Sequence, residues 1–435
     1  MIQDPCQDRS DLPSLEANDI RTKPYPGTMK TFRLYLIVFI CLPLLGAAQN
    51  RCASADYQQQ QVRLQPQLSE RLSSLENWIQ QAATTQSFER TQEGTLVIPV
   101  VFHNLYHLPS ERISDQQVQD QLKSLNECFR MRNPDTANTR PVFKPLAADC
   151  EIEFRLAISD PRRRATTGIV RQYTPISSWK MGDDMKFSSK MGADGWDSRG
   201  YLNIWVCRME KFAGFSSVLG ADAKLDGIVL DLGAIGGGHK TLVHEVGHWL
   251  GLKHLWGDEY CGDDGVSDTP KQASYTMGCP STIRITCGNN PTGDMYNNYM
   301  DFTSDACMTL FTEGQKSRMR SLLKSGGLRA SLMQSVGLKI PLTAEMPVVE
   351  PDPTWLEPKL YPTTVTHLLQ IDLSYDRRWV GQTYRIIDLQ GRVRQQGNFQ
   401  STIHRFPTEG LEKGYYLLEA RRTDGLVYQS KFLKL

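Results

Sequence analysis

An excess of charge of either sign is missing from this 435-residue sequence: 49 Lys and Arg stand against 48 Asp and Glu, with no acidic tail or basic stripe. Nothing therefore recommends nucleic acid as a partner. A hydrophobic run long enough to cross a bilayer is missing too. The first strongly apolar stretch, Leu34 to Leu45, falls short of the about 20 residues that a helical span needs, so no stable membrane span is expected and an anchored protein is the lesser reading. Internal repeats are absent as well.

What Leu34 to Leu45 does fit is a secretory signal peptide. Lys30 and Arg33 precede it, Gly46-Ala47-Ala48 follows it, and cleavage after Ala48 suits the small-residue rule. Residues 1–28 then read as an upstream extension and 29–48 as the signal. Export changes what the cysteines mean. With Cys6 and Cys41 set aside, Cys52, Cys128, Cys150, Cys207, Cys261, Cys279, Cys287 and Cys307 belong to a chain in an oxidising compartment, where disulfides are expected.

The chain exceeds the roughly 100–200 residues of a typical domain, so several units are expected. Residues 49–91 are rich in Gln, Ser and charge, with one helical stretch around Leu68 to Ala82, and read as a pro-segment. Residues 92–340 mix strand-like runs (Thr95 to Phe102, Cys150 to Ile158, Tyr201 to Val206, Gly227 to Asp231) with helices at Ser114 to Phe129 and Lys240 to Leu252, an α/β (α+β) pattern. From Gly257 to Asp305 regular signals stop. Gly, Asp, Asn, Pro and Cys dominate there, which predicts an irregular lobe pinned by disulfides. Prolines 341, 347, 351, 353 and 358 mark a semi-stiff linker over 341–358. Beyond it, over 359–435, the short alternating segments Tyr384 to Leu389, Ile403 to Phe406, Tyr415 to Ala420 and Tyr428 to Leu433 predict a small all-β sandwich.

The chemistry sits in His244-Glu245-Val246-Gly247-His248-Trp249-Leu250-Gly251-Leu252-Lys253-His254. Residues four apart share a helix face, so His244 and His248 can each offer a ring nitrogen to one ion about 2.0–2.1 Å away. Glu245, rotated by about 100° from His244, flanks that ion and reaches a water on it instead of becoming a ligand. His254 lies too far round for a continued helix, so the chain must turn, and Gly251 supplies a residue that takes positive φ without steric cost. Three neutral imidazoles with no thiolate or carboxylate leave zinc an open position, which is catalytic coordination, not structural. Zinc so held brings the pKa of its water down to roughly 7 and polarises a carbonyl, while Glu245 takes the proton as general base and passes it to a leaving amine. Histidines that merely pack or cap a helix are the plain alternative; five fixed positions matched together weigh against it.

That run resembles the HExxHxxGxxH signature of the metzincin metallopeptidases, and within that clan the chain is similar to the pappalysin family. The likeness runs from Val97-Ile98-Pro99-Val100-Val101-Phe102-His103 through Tyr201-Leu202-Asn203-Ile204-Trp205-Val206 to Phe311-Thr312-Glu313-Gly314-Gln315, essentially Thr95 to about Gly337. The resemblance implies a metzincin-like catalytic domain with a twisted mixed sheet, an active-site helix and a disulfide-pinned lobe. It also implies a methionine turn at Asn297-Asn298-Tyr299-Met300-Asp301 with Met300 beneath the zinc, and disulfides Cys261–Cys287 and Cys279–Cys307. From sequence alone these four cysteines allow other pairings. Many relatives carry a tyrosine two residues after the methionine. Here Phe302 has no hydroxyl, so Tyr299 or a water is expected to substitute, or activity is lowered. Relatives with an acidic residue directly before the last cysteine select basic side chains after the scissile bond; Ala306 precedes Cys307 here and Asp305 stands one further back, so a basic preference is not expected.

Closely set carboxylates and carbonyls in Gly262 to Pro270 suit calcium, which the resemblance also places in this lobe; the candidate ligands are Asp264, Val266, Asp268 and Thr269, and a solvated acidic loop is the alternative. Arg51-Cys52 opens the pro-segment. A thiolate is a good zinc ligand, so Cys52 is a candidate latency switch, and this arrangement resembles a cysteine switch; pairing with Cys207 or another thiol is the alternative. If Cys52 binds zinc and Cys128 pairs with Cys150, Cys207 is left as a buried free thiol. Leu360 to Leu435 resembles the C-terminal sorting domain of type IX secretion through Asp388-Leu389-Gln390-Gly391-Arg392-Val393, Gly414-Tyr415-Tyr416 and the final Lys431 to Leu435, although its usual opening is broken at Thr363-Thr364. A sandwich that binds substrate or carbohydrate is the alternative there.

The expectation is a secreted or cell-surface zinc metalloendopeptidase acting on protein or peptide substrates. It is latent until its pro-segment is removed, and its C-terminal domain engages the secretion machinery. A surface binding protein that keeps zinc for structure is the reading from another class, and an intact Glu245 argues against it.

Overall fold

The computed structural model describes residues 51–85, 94–344, 358–374, 376–423 and 425–435. The expected upstream extension, signal peptide and most of the Pro-rich linker lie outside the described residues. β1 (Leu96–Tyr106) is the spine of the larger sheet, buried from Ile98 onward as a strand covered on both faces must be. β2 (Ile152–Leu156) and β3 (Ile169–Tyr173) pair with it in parallel, one after the other, and β4 (Leu202–Cys207) runs parallel on its other side. β5 (Gly214–Ser216) is the edge strand, antiparallel to β6 (Ile228–Asp231), which is itself parallel to β4.

Helix α3 (Asp115–Phe129) starts at a capping box in which Ser114 and Gln117 each bond the other's backbone N–H. Its apolar face, Val118, Leu125 and Phe129, joins Phe102, Phe154 and Leu230 in the main core. Helix α4 (Thr241–Trp249) reads TLVHEVGHW, apolar nearly all round, and is accordingly buried along almost its whole length. It stops short of the predicted Leu252. Gly251 takes φ +86°, its N–H bonds His248 O at 2.8 Å and the N–H of Leu252 bonds Gly247 O at 2.9 Å, which is a Schellman motif.

After α4, among the described residues, no helix or extended strand appears until the short turn at Asp305–Cys307, and α5 (Glu313–Leu323) follows under a Thr312–Gln315 capping box. The intervening lobe is tied by Cys261–Cys287 and Cys279–Cys307. Its backbone polar groups find side chains in place of a ladder: buried Asp301 alone accepts from the N–H of Thr276 and of Phe302, both at 2.7 Å, and from Gln272 Nε2 at 3.0 Å.

Two N-terminal helices, α1 (Ser54–Leu64) and α2 (Gln67–Thr85), lie across this body. Glu76 of α2 takes a two-pronged bond from Arg318 of α5 at 2.8 and 2.5 Å, while Arg318 Nε holds Gly251 O at 2.6 Å. None of the described helices is long and apolar enough to cross a membrane.

The C-terminal residues build two antiparallel-rich sheets. One has the order β11-β10-β13-β14-β8, from β8 (Thr364–Val365), β10 (Thr383–Asp388), β11 (Val393–Asn398), β13 (Gly414–Arg421) and β14 (Val427–Lys434). The other is β12-β9-β7, from β7 (Lys359–Tyr361), β9 (Leu368–Asp372) and β12 (Ile403–Pro407). Alternate residues such as Tyr384, Ile386, Leu418 and Phe432 meet Leu369, Ile371, Trp379 and Phe406 in a separate core.

One expected bridge does not form. Cys128 and Cys150 are both free, buried thiols. Cys128 sits at the end of α3 with its thiol against the Tyr299 hydroxyl, and Cys150 is fixed where its N–H bonds Phe129 O at 2.9 Å. Burial pushes the Cys128 thiol up to about 11, so it stays protonated and inert. Cys207 is likewise free, within β4 and 3.6 Å from the Met209 sulfur, and so does not pair with Cys52.

Candidate metal centre and substrate cleft

The helical spacing of His244 and His248 brings their Nε2 atoms to 3.1 Å from each other, and the turn at Gly251 returns His254 to 3.3 Å from the first and 3.1 Å from the second. Each ring is held by its other nitrogen. His244 Nδ1 bonds Tyr299 O at 2.7 Å, His248 Nδ1 bonds Leu252 O at 2.9 Å, and His254 Nδ1 meets the Asp258 carboxylate. Carbonyl and carboxylate oxygens only accept, so each Nδ1 carries the proton and each Nε2 turns a lone pair to the common point. Burial holds His244 well below the ordinary histidine range and takes His248 to about 3, with the neighbouring imidazoles adding to both; these rings are neutral.

Three buried acceptors facing one another without a donor would cost about 1–3 kcal/mol each, a large part of a typical stability of roughly 5–15 kcal/mol. A cation removes that penalty. Tetrahedral bonds of about 2.0 Å place ligand nitrogens about 3.3 Å apart, the spacing observed here, so the residues fit a zinc-sized ion. Cys52 Sγ stands where a fourth donor could: its sulfur and the three imidazole nitrogens all lie within 4.8 Å of one another.

Met300 lies under the site. A Cβ on Gly247 would stand 2.5 Å from Met300 Sδ, so the small residue between the two helical histidines is what admits the methionine. Phe302 and Trp256 form a wall: Trp256 stacks on His254 at 4.4 Å, and Phe302 lies 4.9 Å from His254 and 5.0 Å from Trp256. Tyr299 does not replace the missing hydroxyl, contrary to one of the expected alternatives. Its ring is packed on Phe311 and its hydroxyl faces Cys128 inside the core, while only its carbonyl reaches His244.

Glu245 is fully buried beside the cluster, and burial raises its carboxyl to about 7. Its Oε2 accepts from Ser54 Oγ at 2.7 Å. The N-terminal segment continues to occupy the cleft on both sides. Ala53 N–H bonds Gly214 O at 3.0 Å and Ser54 Oγ accepts from Ser216 N–H at 2.8 Å, so the chain pairs with edge strand β5. Before Cys52, Arg51 donates to Thr303 O at 2.6 Å and its guanidinium meets the Asp305 carboxylate. Asp305 thus meets a basic side chain of the N-terminal segment, although it stands one place off the family spacing.

In the irregular lobe Asp264 Oδ1, Val266 O and Thr269 Oγ1 converge, with Thr269 Oγ1 2.9 Å from Asp264 Oδ1 and 2.8 Å from Val266 O. Burial lifts Asp264 to about 7. Asp268 is directed elsewhere: it accepts from Thr312 Oγ1 at 2.7 Å and Gly314 N–H at 2.8 Å at the start of α5.

The family model described as pregnancy-associated plasma protein-A matches residues 235–324, which include α4, His254 and the methionine turn. A Verticillium alfalfae protein named extracellular metalloprotease is 31% identical over 237 residues, 53% of this chain and 78% of that protein. The chain belongs to the pappalysin family of metallopeptidases. Mature mirolysin of Tannerella forsythia, solved in complex with a cleaved peptide, is 41% identical and matches 56% of this pappalysin and 97% of its own chain, with a TM-score of 0.54. A promirolysin mutant from the same organism is 37% identical over 66% of this chain and 97% of its own, with a TM-score of 0.60.

Sequence reasoning missed Arg51, Ser54, Gly247 and Asp258. Only Asp258 had a visible signal, a carboxylate four residues after His254. An Asp258→Asn substitution is expected to weaken zinc binding by about 10–100-fold by releasing the His254 ring, measured by competition with a chromogenic chelator; unchanged affinity would show that the carboxylate plays no part in orienting it.

Proposed function

We propose that this pappalysin is an exported zinc endopeptidase made as a latent precursor, with His244, His248 and His254 as zinc ligands and Cys52 as the fourth until residues 49–91 are removed. The observation that carries the reading is the meeting of three proton-free Nε2 atoms and the Cys52 sulfur at one point, beside a buried carboxylate. Zinc supplies a Lewis acid there, lowering the pKa of water and polarising a carbonyl. Burial and the adjacent Glu245 keep the Cys52 proton on; a cation held by the imidazoles would favour the thiolate, with the proton released to solvent. Ser54 meanwhile occupies Glu245 Oε2.

With the segment gone, Glu245 Oε2 is free to take a proton from the attacking water and return it to the leaving amine. Gly214 O and Ser216 N–H are free to pair an extended substrate backbone. Asp305 and Thr303 O then receive a basic side chain where Arg51 lay. Phe302 offers no hydroxyl to the developing oxyanion, so either a water serves in its place or the reaction is slower. A likeness to promirolysin, a precursor, over 66% of this chain supports the reading of a precursor.

The remaining boundaries follow the sequence reading: signal peptide at 29–48, catalytic domain at 92–340, linker at 341–358 and a sandwich at 359–435 that directs export. The separate core of the last supports a domain of its own, and retention inside the cell of a chain lacking 359–435 is the check on its export role. Calcium is proposed at Asp264, Val266 and Thr269, whose oxygens converge; Asp268 is given to α5. Added calcium should raise the melting temperature of metal-stripped protein, and an unmoved transition would remove the site.

Glu245→Ala is expected to cut peptide cleavage by roughly 10²–10⁴-fold with zinc content unchanged, and a zinc chelator to abolish cleavage by the parent enzyme; chelator-insensitive cleavage contradicts the mechanism. Cys52→Ala should give a precursor that is active, or self-processes, without added protease. A precursor as silent as the parent would mean that the thiol is not what holds it latent.

A further inference from the structure

A second imprint of the N-terminal segment lies away from the metal centre. Tyr57 of α1 is fully buried, its ring 4.9 Å from that of Phe215 in β5 and its hydroxyl donating to Asp183 Oδ1 at 2.7 Å. Lys186 closes the pocket. Its ammonium is 2.9 Å from the Asp183 carboxylate, donates to Leu225 O at 2.8 Å and stands 5.2–5.6 Å from the rings of Tyr57, Trp205 and Phe215. Gln61 Nε2 adds a bond to Asp183 Oδ2 at 3.0 Å.

Two features mark this as a binding pocket and not only a packing contact. Apart from Tyr57 and Gln61, every group in it comes from beyond the pro-segment, and Asp183 and Lys186 hold each other, so the pocket persists when α1 leaves. A lysine with no exposed side-chain surface among aromatic rings is a choice that packing alone disfavours. The second feature is position. Phe215 lies between Gly214 and Ser216, the residues that bond Ala53 and Ser54, so a strand paired on β5 passes the mouth of the pocket. From Ala53 to Tyr57 the helix rises about 6 Å, the reach of about two extended residues.

We propose that in the processed enzyme this pocket is a subsite for a substrate tyrosine, about two residues from the backbone pairing on β5 and across the imidazole cluster from Asp305. The proposal rests on the peptidase reading and adds a selectivity to it. Asp183 offers the ring hydroxyl an anionic acceptor that a phenylalanine cannot use, and a hydrogen bond to a charged group is worth roughly tenfold or more in discrimination.

The test uses processed enzyme and internally quenched peptides with one fixed arginine, and with tyrosine, phenylalanine or alanine moved through the other positions. At one position tyrosine should exceed phenylalanine about tenfold in kcat/KM, and Asp183→Asn should bring that ratio towards one. A second arm needs no enzyme variant: a synthetic peptide of residues 50–62 should inhibit the processed enzyme, and its Tyr57→Phe version should be about tenfold weaker. Equal rates for tyrosine and phenylalanine at every position, or equal inhibition by the two peptides, overturn the subsite and leave the peptidase standing. Failure to cleave any peptide overturns both.

Discussion

Three imidazole lone pairs aimed at one point are the constraint on which the rest of this molecule depends. A single helix can supply only two of them, so the third forces α4 to end in a positive-φ glycine, and the Schellman bonds around Gly251 fix where His254 returns. Keeping the lone pairs inward requires an acceptor behind each ring, and the chain provides Tyr299 O, Leu252 O and Asp258. The turn that delivers the Tyr299 carbonyl also delivers Met300, whose sulfur can approach only because Gly247 is bare. Each choice is imposed by the one before it. The irregular lobe, which has no ladder of its own, is then fastened by two disulfides and by the Asp301 carboxylate so that these acceptors do not drift.

The N-terminal segment is a negative of the cleft. Arg51 satisfies Asp305, the Cys52 sulfur faces the imidazoles, Ala53 and Ser54 take the edge of β5 and the Glu245 carboxylate, and Tyr57 fills the Lys186 pocket. Farther along, Glu76 reaches Arg318, which itself holds Gly251 O. These contacts fall on the edge strand, the carboxylate and the imidazole cluster, the groups that the proposed peptidase reaction uses.

Sequence made the metal site readable because its signal is periodic and local: His244, His248 and Gly251 state their geometry by spacing alone. The long strand β1 and helix α3 were legible for the same reason, being long enough to show a period and, in α3, a capping box. Edge strand β5 was not, since Gly-Phe-Ser is too short to have a pattern. Helix α1, with its four consecutive glutamines, has weak apolar periodicity and is held by what it docks against. The pocket of Asp183, Lys186 and Phe215 joins residues far apart in the chain by tertiary packing that no window of sequence contains. Cys128 and Cys150 misled because export argues for oxidation in general and says nothing of where two thiols point.

The most direct test of this account is the zinc absorption-edge spectrum of the precursor and of the processed enzyme, which counts nitrogen and sulfur neighbours. Three nitrogens at about 2.0–2.1 Å and one sulfur at about 2.3 Å in the precursor, with the sulfur lost on processing, is the predicted outcome. A precursor without zinc, or with zinc that has no sulfur neighbour, would contradict it.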